Sequence, residues 1–296
     1  TGLQSLLILL AILLGILFPV AHQLTFLIRY SLMIMLFFAF LNIRFDREVL
    51  QRDHFLVLAA NIGLPLLLVN LLQPLGPTPA LAVFVVAMAP TAAGAPVIAA
   101  FLRCRVDFVT TSVLLTSPTV ALLLPLLLPR FIEVETDISV AAILAPTAAI
   151  VFIPLFISQG LRRTLPRFAG RLNGFRGIAF YLFLANVHIA SARATRFIGY
   201  ESNTPWTTLL FLAGVTGLLC LLQFQLGERF AQPALRQENS LALGRKNTMF
   251  ALWVALTFID PVVALGPIFY ILWQNAYNSW QLYEVERAER KKNARG

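Results

Sequence analysis

Apolar runs of membrane-crossing length recur from one end of the chain to the other, and that recurrence constrains the fold more than any single motif. A stretch of roughly 18 or more predominantly apolar residues can cross the hydrocarbon core of a bilayer as a helix. Inside lipid the backbone must satisfy its own N–H and C=O groups, which a helix does within one segment. Charged residues make up only 12% of the chain, whereas a soluble domain carries about 25%. That is too little charge to cover a water-soluble globule. The sequence predicts an all-α, multi-pass membrane protein.

About ten spans can be read in this way. Five lie near 3–20, 24–43, 55–73, 79–102 and 106–129, and five near 137–160, 176–198, 205–227, 239–256 and 259–281. The Arg-rich stretch Arg162–Phe175 reads as an interfacial amphipathic linker. The expected organisation is a first five-span repeat over 1–160, a linker over 161–175, a second repeat over 176–283 to which the span at 137–160 belongs, and a charged tail over 284–296. With the N-terminus in the cytoplasm, only Arg130, Arg193 and Arg196 fall outside. The other loop and tail cations, from Arg44 and Arg47 to Arg295, fall inside. The positive-inside rule then puts both termini in the cytoplasm. The absence of any N-x-[ST] sequon fits a bacterial or organellar membrane, and a bacterial inner membrane is the expectation. The first segment lacks the basic region and cleavage site of a signal peptide. The pI near 10.2 follows from these loop cations, not from a basic, aromatic-interleaved face for nucleic acid.

Two halves of five spans run in opposite directions, the arithmetic of an inverted repeat. The fourth span of each half is irregular. The first reads Ala89-Pro-Thr-Ala-Ala-Gly-Ala-Pro96 within an apolar run, and each proline removes an intrahelical hydrogen bond and clashes with the preceding turn. The second reads Leu243-Gly-Arg-Lys-Asn-Thr248, cationic where a span should stay apolar. Non-helical backbone at membrane depth survives only where protein or a watery cavity satisfies it. Interruptions at matching places in two halves therefore point to a binding site. The alternative is that Pro90 and Pro96 are kinks and that Arg245 and Lys246 belong to the preceding loop.

Residues Gly244–Leu256, then Asp260–Pro267 and Leu272–Ser279, together with the stretch from Ala89 to Val97 and on through Arg103 and Val106, resemble the bile acid:sodium symporter family. The resemblance implies ten transmembrane helices in two inverted five-helix repeats. It implies a panel domain of spans 1, 2, 6 and 7, a core domain of spans 3–5 and 8–10, and fourth and ninth helices that are broken and cross. Organic anions bind between the domains in that family, and sodium binds behind the crossing. Here the positions that match the family's sodium ligands are Ala60, Ala95, Pro96, Val109, Val113, Ala242 and Lys246, none of which offers a side-chain oxygen. The family's anion-contacting positions match Asn247, Gln274 and Asn275, which stay polar, and Ala93, which does not. Thr91 of the first interruption is grouped with them as a substrate candidate.

Lys246 is the most informative of these residues, because ionisable side chains within spans are functional by default. Three readings stand. With Arg245, it supplies the positive charge that sodium supplies in the relatives and holds the crossover of Pro90, Pro96 and Gly244 in place. Alternatively it titrates and couples transport to protons, or both cations snorkel to the interface. The expected function is sodium-independent secondary transport of an organic anion, either bile-acid-like or a small carboxylate or sulfonate. A non-transporting anion receptor of the same fold is the other class. No cofactor is implied and no enzyme is expected: His22, His54 and His188 form no metal-spaced cluster, and Cys104 and Cys220 read as buried thiols. Arg29, Arg193, Arg196 and His188 read either as cleft-facing groups or as interface anchors and packing, and Asp260 as a helix cap.

Overall fold

The computed structural model describes residues 2–42, 50–132, 140–201 and 204–293. Arg44, Arg47 and Arg295, which entered the orientation argument, lie outside them. Among the described residues every named element is helical. The α-helices are α1 (Gly2–Leu17), α2 (Leu27–Asn42), α3 (Arg52–Leu72), α4 (Pro77–Met88), α5 (Ala95–Phe101), α6 (Val106–Leu127) and α7 (Val140–Thr164). They continue with α8 (Pro166–Asn173), α9 (Ile178–Arg196), α10 (Trp206–Phe230), α11 (Arg236–Gly244), α12 (Thr248–Phe258) and α13 (Leu265–Asn293).

Four stretches are long and apolar enough to cross a bilayer unaided: Arg52–Leu75, Val106–Arg130, Val140–Thr164 and Trp206–Phe230. A fifth is possible if Pro166–Asn173 and Ile178–Tyr200, which meet at 53°, count as one bent span. This is fewer than the sequence reading expects, for a geometric reason. At 1.5 Å per residue, the 16 residues of α1 or α2 rise about 24 Å against a hydrocarbon core of about 30 Å. The pairs α4–α5 and α11–α12 are each interrupted. Helix α13 is long, but Gln274, Asn275, Asn278 and Gln281 interrupt its apolar surface.

The helices pack in two groups that are joined where α6 lies on α7. Helix α1 lies on α9 and α2 on α7 and α9. Gly15 of α1 sits so close to α9 that a Cβ there would meet the His188 carbonyl at 2.5 Å. In the other set α3 lies on α4 and α6, and α10 on α4, α11 and α13. The interrupted helices occupy the centre. Every residue from Pro79 to Met88, from Glu238 to Gly244 and from Thr248 to Ala255 is buried. A helix that is apolar all round belongs in a core, as α4 and α12 are. By contrast α1 exposes Leu6, Leu9, Leu13 and Leu17.

Candidate functional site: the crossing of two interrupted helices

The two interruptions meet. Helix α4 stops at Met88 because residue 90 is proline: Pro90 has no N–H to continue the ladder, and it forces Ala89 out of the helical region. Ala89 accordingly has φ −53° and ψ 141°. Helix α11 ends at Gly244, and Arg245 is extended at φ −88° and ψ 96°. Asn247 then starts α12 as its N-cap, its side chain accepting from the Phe250 N–H at 3.2 Å. The two extended stretches run antiparallel. Asn247 N–H donates to the Pro90 carbonyl at 2.8 Å, and Ala92 N–H donates to the Arg245 carbonyl at 2.8 Å. Thr91 and Lys246 lie opposite each other in that bridge.

Buried side chains from neighbouring helices satisfy what remains of the helix ends. The last carbonyls of a helix have no intrahelical partner, and here each recipient can be named. Asn61 of α3 donates to the Met88 carbonyl at 3.2 Å. Gln223 of α10 donates to the Ala87 carbonyl at 3.4 Å. The Tyr270 hydroxyl of α13 lies 2.7 Å from both the Gly244 carbonyl and Gln223 Oε1, which share its one proton. Thr91 Oγ1 donates to the Ala242 carbonyl at 2.7 Å, while its N–H is held by Thr116 Oγ1 at 3.0 Å.

The two cations point to opposite sides, as neighbouring residues of an extended segment do. The Lys246 ammonium is 1% exposed and donates to Asn61 Oδ1. Its backbone N–H donates to Gln274 Oε1 at 3.1 Å. It does not snorkel. Arg245 lies beside Cys220 and Tyr270, with Nε and Nη1 enclosed and unpartnered. Among the described residues no carboxylate is hydrogen-bonded or ion-paired to either cation. The negative poles of α4 and α11 converge here, each equivalent to about half a charge, and Lys246 lies where they meet.

The structure sorts the remaining candidates. Ala95 and Pro96 do not belong to the interruption: they are the opening residues of α5, where proline's missing N–H is harmless. Ala60 is partly exposed while Asn61 is fully buried, so the third-span polar group lies one residue along from the matched position. Val109, Val113 and Ala242 are fully buried among apolar side chains, and the sixth helix contributes its hydroxyl from Thr116 instead. Thr91 and Gln274 are both engaged by the crossing itself. Asn275 donates to the Ile271 carbonyl of its own helix at 2.7 Å, and Ala93 is partly buried. Asn247 is 6% exposed and serves as the cap. Gly244 has no space for a side chain, since a Cβ would meet the Phe224 ring at 2.4 Å.

Elsewhere, Arg193 stacks over Phe197 at 5.8 Å and Arg196 over Tyr200 at 4.8 Å. Asp260 accepts from the N–H groups of Val262 and Val263 at 2.7 and 2.9 Å, capping the turn into α13. Cys104 and Cys220 are free thiols. No three potential metal-ligating side chains gather among the described residues.

Sequence reasoning passed over Thr116, Gln223 and Tyr270. Their polarity inside apolar runs was a usable signal, because such groups seek partners within the bundle. It also passed over Asp53, which is fully buried and accepts from Gln232 N–H at 3.0 Å and Asn239 Nδ2 at 2.8 Å, fixing the start of α11 against α3.

A sodium site needs several oxygens and negative charge. The crossing offers an ammonium and a guanidinium, and a unit charge 4 Å from a cation repels it by about 4 kcal/mol even at an effective dielectric of 20. The side chains present do not fit that ion. No protein-family model matches the chain, and no curated protein matches it.

Proposed function

We propose that this chain is a secondary carrier of organic anions, divergent from the bile acid:sodium symporter type, that works without sodium. One observation carries the reading: a buried ammonium and a half-buried guanidinium lie where two interrupted helices cross, with no carboxylate partner among the described residues. Lys246 is met by Asn61 and by two helix C-termini, whereas the Arg245 guanidinium keeps Nε and Nη1 enclosed without a partner. A desolvated cation of that kind calls for a negative charge from outside the chain. An organic carboxylate or sulfonate, bile-acid-like or smaller, supplies it. In this reading about ten helices span the membrane in two inverted repeats, the short and interrupted ones included. Helices α1, α2, α7 and α9 form the panel, α8 lies in the linker, and α3–α6 with α10–α13 form the core, which moves against the panel. Lys246 does permanently what sodium does in the relatives, binding the crossing to α3. Both termini face the cytoplasm of a bacterial inner membrane.

The test is uptake and counterflow of cholate and of a small aromatic sulfonate in proteoliposomes, with sodium replaced by choline. The expected result is flux that is unchanged by the replacement. Steep sodium dependence overturns the reading, and binding without counterflow identifies a receptor instead. Lys246→Gln alone is expected not to create sodium dependence, because Ala242, Val109 and Val113 still offer no oxygen.

A further inference from the structure

The connection between α7 and α9 carries an arginine surface with no counter-charge of its own. Helix α7 ends at Thr164. Pro166, whose fixed φ suits the first turn of a helix, pushes Leu165 out of the helical region to φ −131° and ψ 62°. Helix α8 follows and meets α9 at 53°. Ala169 is buried and Leu172 half-buried, which turns Arg167 and Arg171, four residues apart, to the outside. The turn after α8 is held by its own backbone, Gly174 N–H donating to the Arg171 carbonyl and Arg176 N–H to the Asn173 carbonyl, both at 3.1 Å. Arg163, Arg167, Arg171 and Arg176 are all exposed, and a Cβ on Gly170 or Gly177 would meet nothing within 4 Å. The surface is therefore open. Among the described residues no carboxylate pairs with any of the four, and residues 138–200 contain no Asp or Glu. Arg105, by contrast, has Asp107 at 2.8 Å, and Arg287 has Glu284 at 3.6 Å. Phe168 and Phe175 stand exposed in the same stretch.

We propose that α8 and its flanking turns bind anionic phospholipid headgroups of the leaflet that α8 meets, the four arginines taking the phosphates while Phe168 and Phe175 enter the acyl region. Depth and charge select this occupant. Helix α7 is long and apolar enough to cross the bilayer, so its last turn, which holds Arg162 and Arg163, emerges at headgroup level. Helix α8 begins two residues after α7 ends, which keeps it at that level. A juxtamembrane cluster of arginines draws anionic lipid by about fivefold per residue, and each guanidinium can meet a phosphate with two parallel N–H donors. A nucleic acid or an acidic protein would approach from water and leave the two phenylalanines uncovered, whereas lipid covers both kinds of side chain. Helix α8 packs on α2 and α7, so bound headgroups seat that group of helices on the leaflet and touch nothing at the crossing. The inference rests on the membrane-spanning fold and is independent of the carrier reading.

The experiment uses the full chain carrying Phe175→Trp in phosphatidylcholine nanodiscs doped with brominated phosphatidylglycerol or brominated phosphatidylcholine. Quenching of the added tryptophan, read against the chain without it, gives the preference of this surface for one lipid over the other. The expected preference for phosphatidylglycerol is at least about fivefold, the contribution of one arginine, and it should fall as salt is raised. Combining Arg167→Gln, Arg171→Gln and Arg176→Gln should bring it close to unity, whereas Arg167→Lys, Arg171→Lys and Arg176→Lys together should keep most of it. Arg229→Gln on α10 should leave it unchanged. Thermal unfolding in pure phosphatidylcholine should be the same for all of these chains, because the substituted side chains are exposed, so a lost preference is not a lost fold. Equal quenching by the two lipids in the starting chain, or an undiminished preference in the triple glutamine chain, overturns the proposal. Relief of the preference by soluble glycerophosphate or by polyglutamate assigns the arginines to a ligand from water and also overturns it.

Discussion

The contact between Lys246 and Asn61 is open to a double-mutant cycle whose outcome follows from burial. Both residues are enclosed, at 1% and 0% exposure, so neither can turn to water when its partner is lost. Asn61→Leu keeps the branched heavy-atom shape but deletes the acceptor for the ammonium and the donor to the Met88 carbonyl. A hydrogen bond to a charged group contributes about 1.5–3 kcal/mol and a neutral one about 0.5–1.5 kcal/mol. The single substitution should therefore cost about 2–4.5 kcal/mol. Lys246→Met removes the same charged bond but also removes the desolvation penalty of the ammonium, which amounts to several kcal/mol. Its cost should be smaller, about 1–2 kcal/mol, mostly for leaving Asn61 Oδ1 unpaired. In the double variant no charge is stranded, so it should be no less stable than Asn61→Leu alone, and the coupling should be at least the cost of Lys246→Met, about 1 kcal/mol or more. Equilibrium unfolding by denaturant titration in mixed micelles gives all four corners. Additivity within about 0.5 kcal/mol, the behaviour of independent sites, would refute the claim that Asn61 holds the ammonium.

Three further outcomes are expected. Gly244→Ala puts a methyl group into the Phe224 ring, which a Cβ would meet at 2.4 Å. Overpacking of this kind costs about 1–3 kcal/mol, and Phe224→Leu in the same chain should recover most of it in a thermal-shift assay. Thr116→Val strands the Thr91 N–H, a loss of about 1–3 kcal/mol, whereas Thr116→Ser keeps the hydroxyl and should unfold near the temperature of the unaltered protein. Burial pushes the Cys104 thiol up to about 12. Only the thiolate reacts, so alkylation at pH 8 should be roughly a thousandfold slower than for an ordinary cysteine of pKa about 8.5. It should rise about tenfold per pH unit up to that value, in a Cys220→Ser background followed by mass spectrometry.

The two interruptions were legible because proline and a pair of cations in apolar runs violate the local pattern wherever the rest of the fold goes. Pro90 dictates the end of α4 through its own missing N–H and its effect on Ala89, so that boundary is a property of three adjacent residues. The partners were not legible. Whether Ala60 or Asn61 faces the crossing depends on the rotational phase of α3, and one residue turns a helix by about 100°. A position matched in sequence can thus be right to within one residue and still name the wrong side chain. Thr116 of α6 was missed for the same reason: its hydroxyl holds the Thr91 N–H, and the phase of its own helix does not name that partner. Span length was less legible than span position. Hydropathy reads α1, α2 and the two interrupted pairs as continuous with their flanking turns, whereas the helices themselves stop short.

The polar groups around the crossing divide into two kinds, and the division bears on mechanism. Asn61, Gln223, Tyr270 and Thr91 each satisfy a named carbonyl at a helix end, so their hydrogen bonds exist whether or not anything is bound. Lys246 uses one of its three donors on Asn61, and the Arg245 guanidinium keeps two enclosed nitrogens free. A crossing held by its own chain has no step at which an ion must arrive before it forms. If transport occurs, the energy difference between its two conformations must then come from the substrate itself, which can shift such an equilibrium only by binding one state better than the other. On the carrier reading that preference falls to the anion drawn to Arg245 and Lys246, which must be held better in one conformation than in the other.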